Sequence, residues 1–311
     1  MHPIIFEIGP FQLGKPLGEV GPFALRSFGL MVVLGFLLGA HWVTRMGVRG
    51  ATDVSETRKK FDAVPMWVLG GVIGGARLMY VVVEVLRQSP VGEGFLANPL
   101  SLFYVWEGGL VMYGGAFGGL LGGWWAARKQ GLDVANVFDL GTAASFLGLA
   151  VGRIGCLLVG DDYGSVVPES LRWLPFPVTL HVPEELKKGS LFGEANAGQV
   201  LWATQTWMSI NAACIAALGY RFLRRRRYRG QVALRLLGIY AVMRFLIEMF
   251  RGDEIRGVWF GGAVSTSQLI SIATGLVCLA LLWRNRGRAE EDARLPDSGP
   301  PSTPPTEGEA G

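Results

Sequence analysis

Charge is scarce in this sequence. Only 17% of its 311 residues are Asp, Glu, Lys or Arg, against about 25% in a typical soluble domain. A soluble chain of this size could not cover its surface at that level. A disordered chain is excluded by the opposite measure, because 50% of the residues are hydrophobic. Cysteine is scarcer still. Cys156, Cys214 and Cys278 have no paired spacing, and each lies in an apolar stretch. That excludes a disulfide framework and a thiolate zinc pattern, and leaves small apolar packing residues. His2, His41 and His181 are too few and too scattered for a histidine metal site. No internal repeat is visible, so the inverted-repeat signature of many transporters is missing. No basic segment precedes the first apolar run, so no cleavable leader is read.

What is abundant is glycine, at 45 residues, and apolar sequence, with a mean hydropathy of +0.35. The net charge of +4 does not point to nucleic acid, because the basic residues cluster beside apolar runs. Seven such runs lie at roughly 26–43, 63–86, 109–127, 134–158, 199–220, 231–251 and 262–283. Each is long enough to cross about 30 Å of hydrocarbon as a helix. None alternates as a barrel strand must. The fold class expected is an all-α integral membrane protein of about seven transmembrane helices.

Lysine and arginine set its orientation. Arg45, Arg49, Arg58, Lys59, Lys60, Arg128, Lys129, the 221–229 run, Arg284, Arg286 and Arg288 fall on one side. Lys15, Arg87, Arg172, Lys187, Lys188 and Arg256 fall on the other. The richer side is cytoplasmic by the positive-inside rule. The N-terminus is then outside and the C-terminus cytoplasmic. Residues 1–288 read as one polytopic domain with an outside loop at about 159–198, and 289–311 as a disordered tail rich in Pro, Ser, Thr, Glu and Gly.

Ionisable residues inside spans are costly and point first to function. Arg77, Asp139, Arg153, Arg244, Glu248 and Arg251 are such residues, with Arg26 and Glu107 at span edges. Arg244, Glu248 and Arg251 fall on one stripe of a continuous helix. The carboxylates inside the spans cannot pair every arginine, so surplus guanidinium groups need an anion. A phospholipid phosphate suits their planar fork. The glycine runs 70–75, 113–123 and 151–155 let helix backbones approach. Alternatively, Gly114 and Gly115 open a break whose N–H groups face a phosphate. The bland readings are an ion pair for Glu248, a solvated edge or an arginine partner for Asp161 and Asp162, and a packing thiol for Cys156.

The segment GRIGCLLVGDDYG (152–164) resembles the signature of the prolipoprotein diacylglyceryl transferases, matching at Gly152, Arg153, Gly155, Gly160, Asp161 and Gly164. PIIFEIGPF (3–11), GGARLMY (74–80), WEGGLVMYGG (106–115), MRFLIEMFRGDEIRG (243–257) and STSQL (265–269) resemble the family in the same order. The resemblance implies an enzyme of the bacterial inner membrane with its active site near the periplasmic side. It implies transfer of a diacylglyceryl group from phosphatidylglycerol to the lipobox cysteine of preprolipoproteins. The implied partners are phosphatidylglycerol, preprolipoprotein signal peptides and membrane lipids, with no nucleic acid, no metal and no cofactor. Carried over, Arg153 and Arg244 face the reacting phosphate and Tyr113 positions the head group. Gly114, Gly115, Asp161, Gly164, Arg77, Glu248 and Arg251 complete the substrate site.

The sequence departs from the family pattern at several positions. The family often has His where Tyr113 stands and Tyr where Phe28 stands. Cys156 and Val159 occupy two Asn positions, and Asp161 replaces Glu. A His-Pro-Thr/Ser-Gln-Leu-Tyr-Glu stretch is WATQTWM (202–208) here, retaining Thr204 and Gln205. Without the imidazole, the arginines are expected to supply most of the catalysis. The competing readings are a non-catalytic or altered-specificity relative that binds an anionic phospholipid, and a small-solute transporter or channel. The missing repeats count against the last.

Overall fold

The computed structural model describes residues 2–8, 11–12, 19–20, 23–104, 108–252, 257–259 and 264–288. Lys15, Trp106, Glu107, Arg256 and the tail at 289–311 lie outside them. The described residues form α1 (Ser27–Gly47), α2 (Val54–Leu86), α3 (Pro90–Ala97), α4 (Met112–Lys129), α5 (Val134–Val159), α6 (Thr204–Leu223), α7 (Gln231–Glu248) and α8 (Thr266–Arg284). All but α3 have at least 18 residues. Four of them, α1, α2, α5 and α8, are long and apolar enough to cross a membrane. Their apolar faces point outward, with only 11% of the apolar window of α2 and of α8 buried. Residues such as Leu37, Leu78 and Leu276 stand exposed. A helix with that exterior is stable against lipid and not against water. The chain is an all-helical membrane protein.

Small sheets accompany the helices. β1 (Ile4–Ile8) pairs antiparallel with β4 (Phe23–Arg26), and β2 (Phe11–Gln12) with β3 (Glu19–Val20). β5 (Thr179–His181) pairs with β6 (Val200–Trp202), and β7 (Val258–Trp259) with β8 (Val264–Ser265). The apolar run expected from residue 199 therefore opens as a strand and becomes helical only at Thr204. The long loop is an ordered cap. It has its own apolar centre of Leu180, Val182, Phe192, Leu201 and Ala203, packed on Leu157 and Tyr163.

Glycine sets the closest helix contacts. A Cβ on Gly71 or Gly118 would run into the other's carbonyl oxygen, and the same holds for Gly75 and Gly114. This holds α2 and α4 at backbone contact, with dispersion replacing the hydrophobic effect that lipid removes. One larger core joins Met46, Phe61, Ala126, Leu140, Ile215 and Leu236 of α1, α2, α4, α5, α6 and α7.

Asp139 is structural. It is fully buried, and its carboxylate accepts from Arg226 Nη1, Gly230 N and Ala233 N, each at 2.8 Å. Arg226 also donates to Asn136 Oδ1 at 2.7 Å. α7 begins at a glycine N-cap with no side chain to cap it, so α5 caps α7 through Asp139. Asp139→Ala strands a buried guanidinium and two helix N–H groups. Thermal unfolding in micelles is expected to show a loss of about 3–5 kcal/mol, while the fraction still folded keeps its activity.

Candidate active site

The chain connections bring the ends of α5 and α7 and the starts of α6 and α8 to one end of the bundle. The Arg226–Asp139 clamp and the basic turns sit at the other. At the first end α5 stops on Gly160, whose φ is +82°. A side chain there would also strike the Phe192 ring. Gly160 N and Asp161 N both donate to Cys156 O, at 2.9 and 3.0 Å, and close the helix. Asp162 then takes a φ of +55°, uncommon for a residue with a side chain. Two bonds hold it there: Thr204 Oγ1 donates to its carbonyl at 2.7 Å, and its own N–H donates to Asp161 Oδ1 at 2.9 Å. This reversal turns the Asp162 carboxylate back onto Arg153, on α5.

The same carboxylate reaches Arg251. Asp162 Oδ1 accepts from Arg251 Nη2 at 2.5 Å, while Oδ2 accepts from Arg153 Nη1. Arg251 does not lie on the α7 stripe expected from sequence. The helix ends at Glu248, and Arg251 forms a β-bridge with Gly164. Gly164 is pressed against the Trp202 carbonyl, to which its N–H donates at 3.1 Å, so no Cβ fits. The cap is thereby stitched to the end of α7.

Arg244 and Glu248 lie one turn apart and pair at 2.7 Å, and Glu248 faces Arg251 at 3.8 Å. Arg244 also donates to Ser267 Oγ on α8 at 3.2 Å and approaches Met208 Sδ on α6 at 3.4 Å. The side chains thus run Arg244–Glu248–Arg251–Asp162–Arg153. Every one is at least four-fifths buried. Three guanidinium groups meet two carboxylates in this chain, and the Asp161 carboxylate lies within 4.8 Å of that of Asp162. A phosphodiester supplies one negative charge, and guanidinium is its geometric match. Burial alone raises the Asp162 carboxyl. Arg153 and Arg251 overcome that and hold it below the usual carboxylate range.

The other expected residues are arranged differently. Arg77 donates to the carbonyls of Leu102 at 3.1 Å, Ser101 at 2.8 Å and Gly108 at 2.6 Å. Its guanidinium lies 5.1 Å from the Phe95 ring centre and 5.7 Å from that of Tyr80. These donors fasten the segment before α4 to α2 and are spent on main chain. Gly114 and Gly115 lie in the first turns of α4, continuous with the helix and packed on α2. They form no helix break. Tyr113, beside them, is 44% exposed. Among the described contacts none joins Tyr113 to the arginine network. Asp161 supports the turn through its own side chain, and Asp162 is the bridge. Cys156 is buried, with its sulfur 3.7 Å from Arg153 Nη1 and 4.0 Å from Asp162 Oδ2. Cys156, Asp161 and Asp162 present ligand atoms within 4.8 Å of one another. A cation there would face Arg153 and Arg251.

Comparison with known proteins gives the family. Residues 16–284 match the family described as prolipoprotein diacylglyceryl transferase. The chain belongs to that family. A relative from Gloeobacter violaceus is 29% identical over 291 residues, covering 92% of this chain and 98% of its own. One from Neisseria meningitidis serogroup C is 31% identical over 279 residues, covering 84% and 92%. One from Pseudomonas fluorescens is 27% identical over 267 residues, covering 85% and 90%. Each is named a phosphatidylglycerol–prolipoprotein diacylglyceryl transferase.

Within the transferase family match, Gly160 and Gly164 serve the Asp162 bridge, and Gly155 packs α5 on Phe28 and Met31 of α1. Asp162 is the arginine partner that the sequence offered beside a solvated edge; two participants went unread, Ser267 and Met208. Ser267 lies inside STSQL, and Met208 inside WATQTWM. Both segments carried the resemblance, but nothing in their spacing ties them to Arg244.

Proposed function

We propose that this chain transfers the diacylglyceryl group of phosphatidylglycerol to the lipobox cysteine thiol of a preprolipoprotein. One observation carries the reading: three buried arginines joined in one network, built where four long helices meet the cap. In the reaction the substrate sulfur bonds to the glyceryl carbon and the bond from that carbon to the phosphate oxygen breaks. Glycerol 1-phosphate leaves with the electron pair, and the thiol proton passes to solvent. Negative charge grows on the departing phosphate, and fixed guanidinium groups stabilise it most at that moment. Arg153 and Arg244 take this role. Asp162 and Glu248 hold them in place, with Arg251 between. The positive field also favours the substrate thiolate, the reactive form.

In this reading all seven long helices span the bacterial inner membrane, residues 1–288 act as one unit, and the network faces the periplasm. Two features support the orientation. The loops opposite the network carry the basic clusters. At that end Lys129 and Arg128 lie over the rings of Trp67 and Trp124, at 4.8 and 5.5 Å from the ring centres, as interfacial anchors do. Tyr113 takes part by donating its hydroxyl to the head group from the edge of α4.

The test is direct. Purified protein, phosphatidylglycerol and a lipobox peptide are incubated in detergent, and mass spectrometry follows the peptide. Diacylglyceryl-modified peptide is expected. Tyr113→Phe is expected to slow its formation about tenfold, as for one lost hydrogen bond. An unchanged rate removes Tyr113 from the site. Phosphatidylglycerol bound by the wild type but never consumed would replace the transferase reading with a lipid-binding one.

A further inference from the structure

The start of α6 contains an unresolved polar balance. Gln205 is completely buried, and among the described residues neither its Oε1 nor its Nε2 has a hydrogen-bond partner. Among the same residues the buried Thr206 hydroxyl beside it has none either. The helix opens at Ala203, which has no side chain able to cap it. Leaving such groups dry costs about 1–3 kcal/mol each, so a buried amide with no partner needs a reason. Position supplies one. The preceding residue, Thr204, holds the Asp162 carbonyl at 2.7 Å. Three residues on, Met208 touches Arg244 at 3.4 Å. Gln205 therefore sits on the turn of α6 that contacts the arginine network at Asp162 and at Arg244.

We infer that Gln205, with Thr206 beside it, is the specificity-determining contact for the hydroxyl groups of the phosphatidylglycerol head. The inference rests on the transfer reaction proposed above and adds how the lipid is selected. The chemistry of the amide chooses the ligand. A phosphate only accepts, so it would satisfy Nε2 and leave Oε1 dry. A hydroxyl both donates and accepts, and neighbouring hydroxyls on a glycerol satisfy both amide atoms at once. The phosphate is matched by the arginines, and the glycerol attached to it extends one or two bonds further, toward the start of α6. A head group without hydroxyls leaves the amide unpaired. Sites built to hydrogen-bond a hydroxyl reject ligands that lack it for this reason.

Gln205→Leu keeps the volume and removes the unpaired polar atoms, so the resting protein is expected to be at least as stable. Transfer to a lipobox peptide is measured with phosphatidylglycerol and, in parallel, with phosphatidylmethanol, which has the same phosphodiester and no head-group hydroxyl. In the wild type, phosphatidylglycerol is expected to have the lower KM. In Gln205→Leu its KM is expected to rise about tenfold, with kcat and the phosphatidylmethanol values unchanged. Three outcomes overturn the inference: a retained preference, an equal loss for both lipids, or a KM change confined to the peptide, which would assign the amide to the acceptor chain. A wild type that modifies no peptide with either lipid contradicts the transferase reading instead, and equilibrium binding of the two lipids then reads the Gln205 preference by itself.

Discussion

Arg153→Ala is expected to lower diacylglyceryl transfer by about 10²–10³-fold, the range for removing one fixed stabiliser of developing negative charge. The reason is local. Arg153 bonds one oxygen of Asp162, and that carboxylate is shared with Arg251. Removing the guanidinium takes one of the three cations from the network. The four charged groups that remain are two arginines and two carboxylates, and they attract a phosphodiester less. Arg153→Lys restores the charge but not the fork, so partial recovery is expected. The mass-spectrometric transfer assay reads all three proteins. Wild-type rates in Arg153→Ala would remove this residue from the chemistry.

Asp162→Asn is expected to be nearly as damaging, for a different reason. It leaves Arg153 and Arg251 facing each other with no carboxylate between them and removes the side-chain tie between the cap and the end of α7, leaving the main-chain ties. The stability loss is expected to be about 3 kcal/mol, the lower end for a broken buried pair, because the Asp162 side chain keeps 20% exposure. Transfer is expected to fall about 10²-fold through misplaced arginines. Asp161→Asn keeps an oxygen for the Asp162 N–H and is expected to retain most activity. The pH dependence has a definite sign. The Asp162 carboxyl is held below its usual range in the folded state. Its stabilising contribution is therefore complete above the unfolded value of about 3.9. It is lost as the pH falls through the lower folded value. As the pH falls below about 4, the thermal melts of wild type and Asp162→Asn are expected to draw together, and to meet only below the folded value. Melts that stay apart in acid would show that the charge of Asp162 is not what stabilises the cap.

The long helices were legible because lipid imposes one simple rule. An apolar run long enough to span must pair its own backbone groups. The run expected at 134–158 is α5 at Val134–Val159, and that expected at 231–251 differs from α7 only at its end. That end matters, since three residues separate a stripe position from a turn. A stripe presumes the helix continues, and nothing in MRFLIEMFRGD marks its stop. α3 was hidden because its eight residues follow a Ser-Pro pair and read as loop. The β1–β4 hairpin was hidden because its pairing joins residues some twenty positions apart.

The site was legible as a set of charges and not as a set of pairs. Arginine inside a span signals something to be neutralised, and sequence cannot say by what. For Arg77 the partners are main-chain carbonyls 24 to 32 residues away, which have no sequence signature. For Arg153 the partner depends on the left-handed turn at Asp162. The motif match fell on Asp161, and backbone geometry puts the next aspartate, Asp162, on the arginines. Gln205 was visible only as a motif match. Its lack of partners is a property of packing.

The measurement that bears most directly on where the lipid reacts is photolabelling. Phosphatidylglycerol carrying a diazirine on its glycerol head is bound to the purified protein and irradiated, and the adducts are mapped by peptide sequencing. Adducts within 150–165, 203–208 and 244–252 are expected, on the residues that build and flank the arginine network, with a further one at Tyr113. Adducts confined to 77–115, around Arg77 and Tyr113, would contradict it and move the phosphate site to the α2–α4 pair.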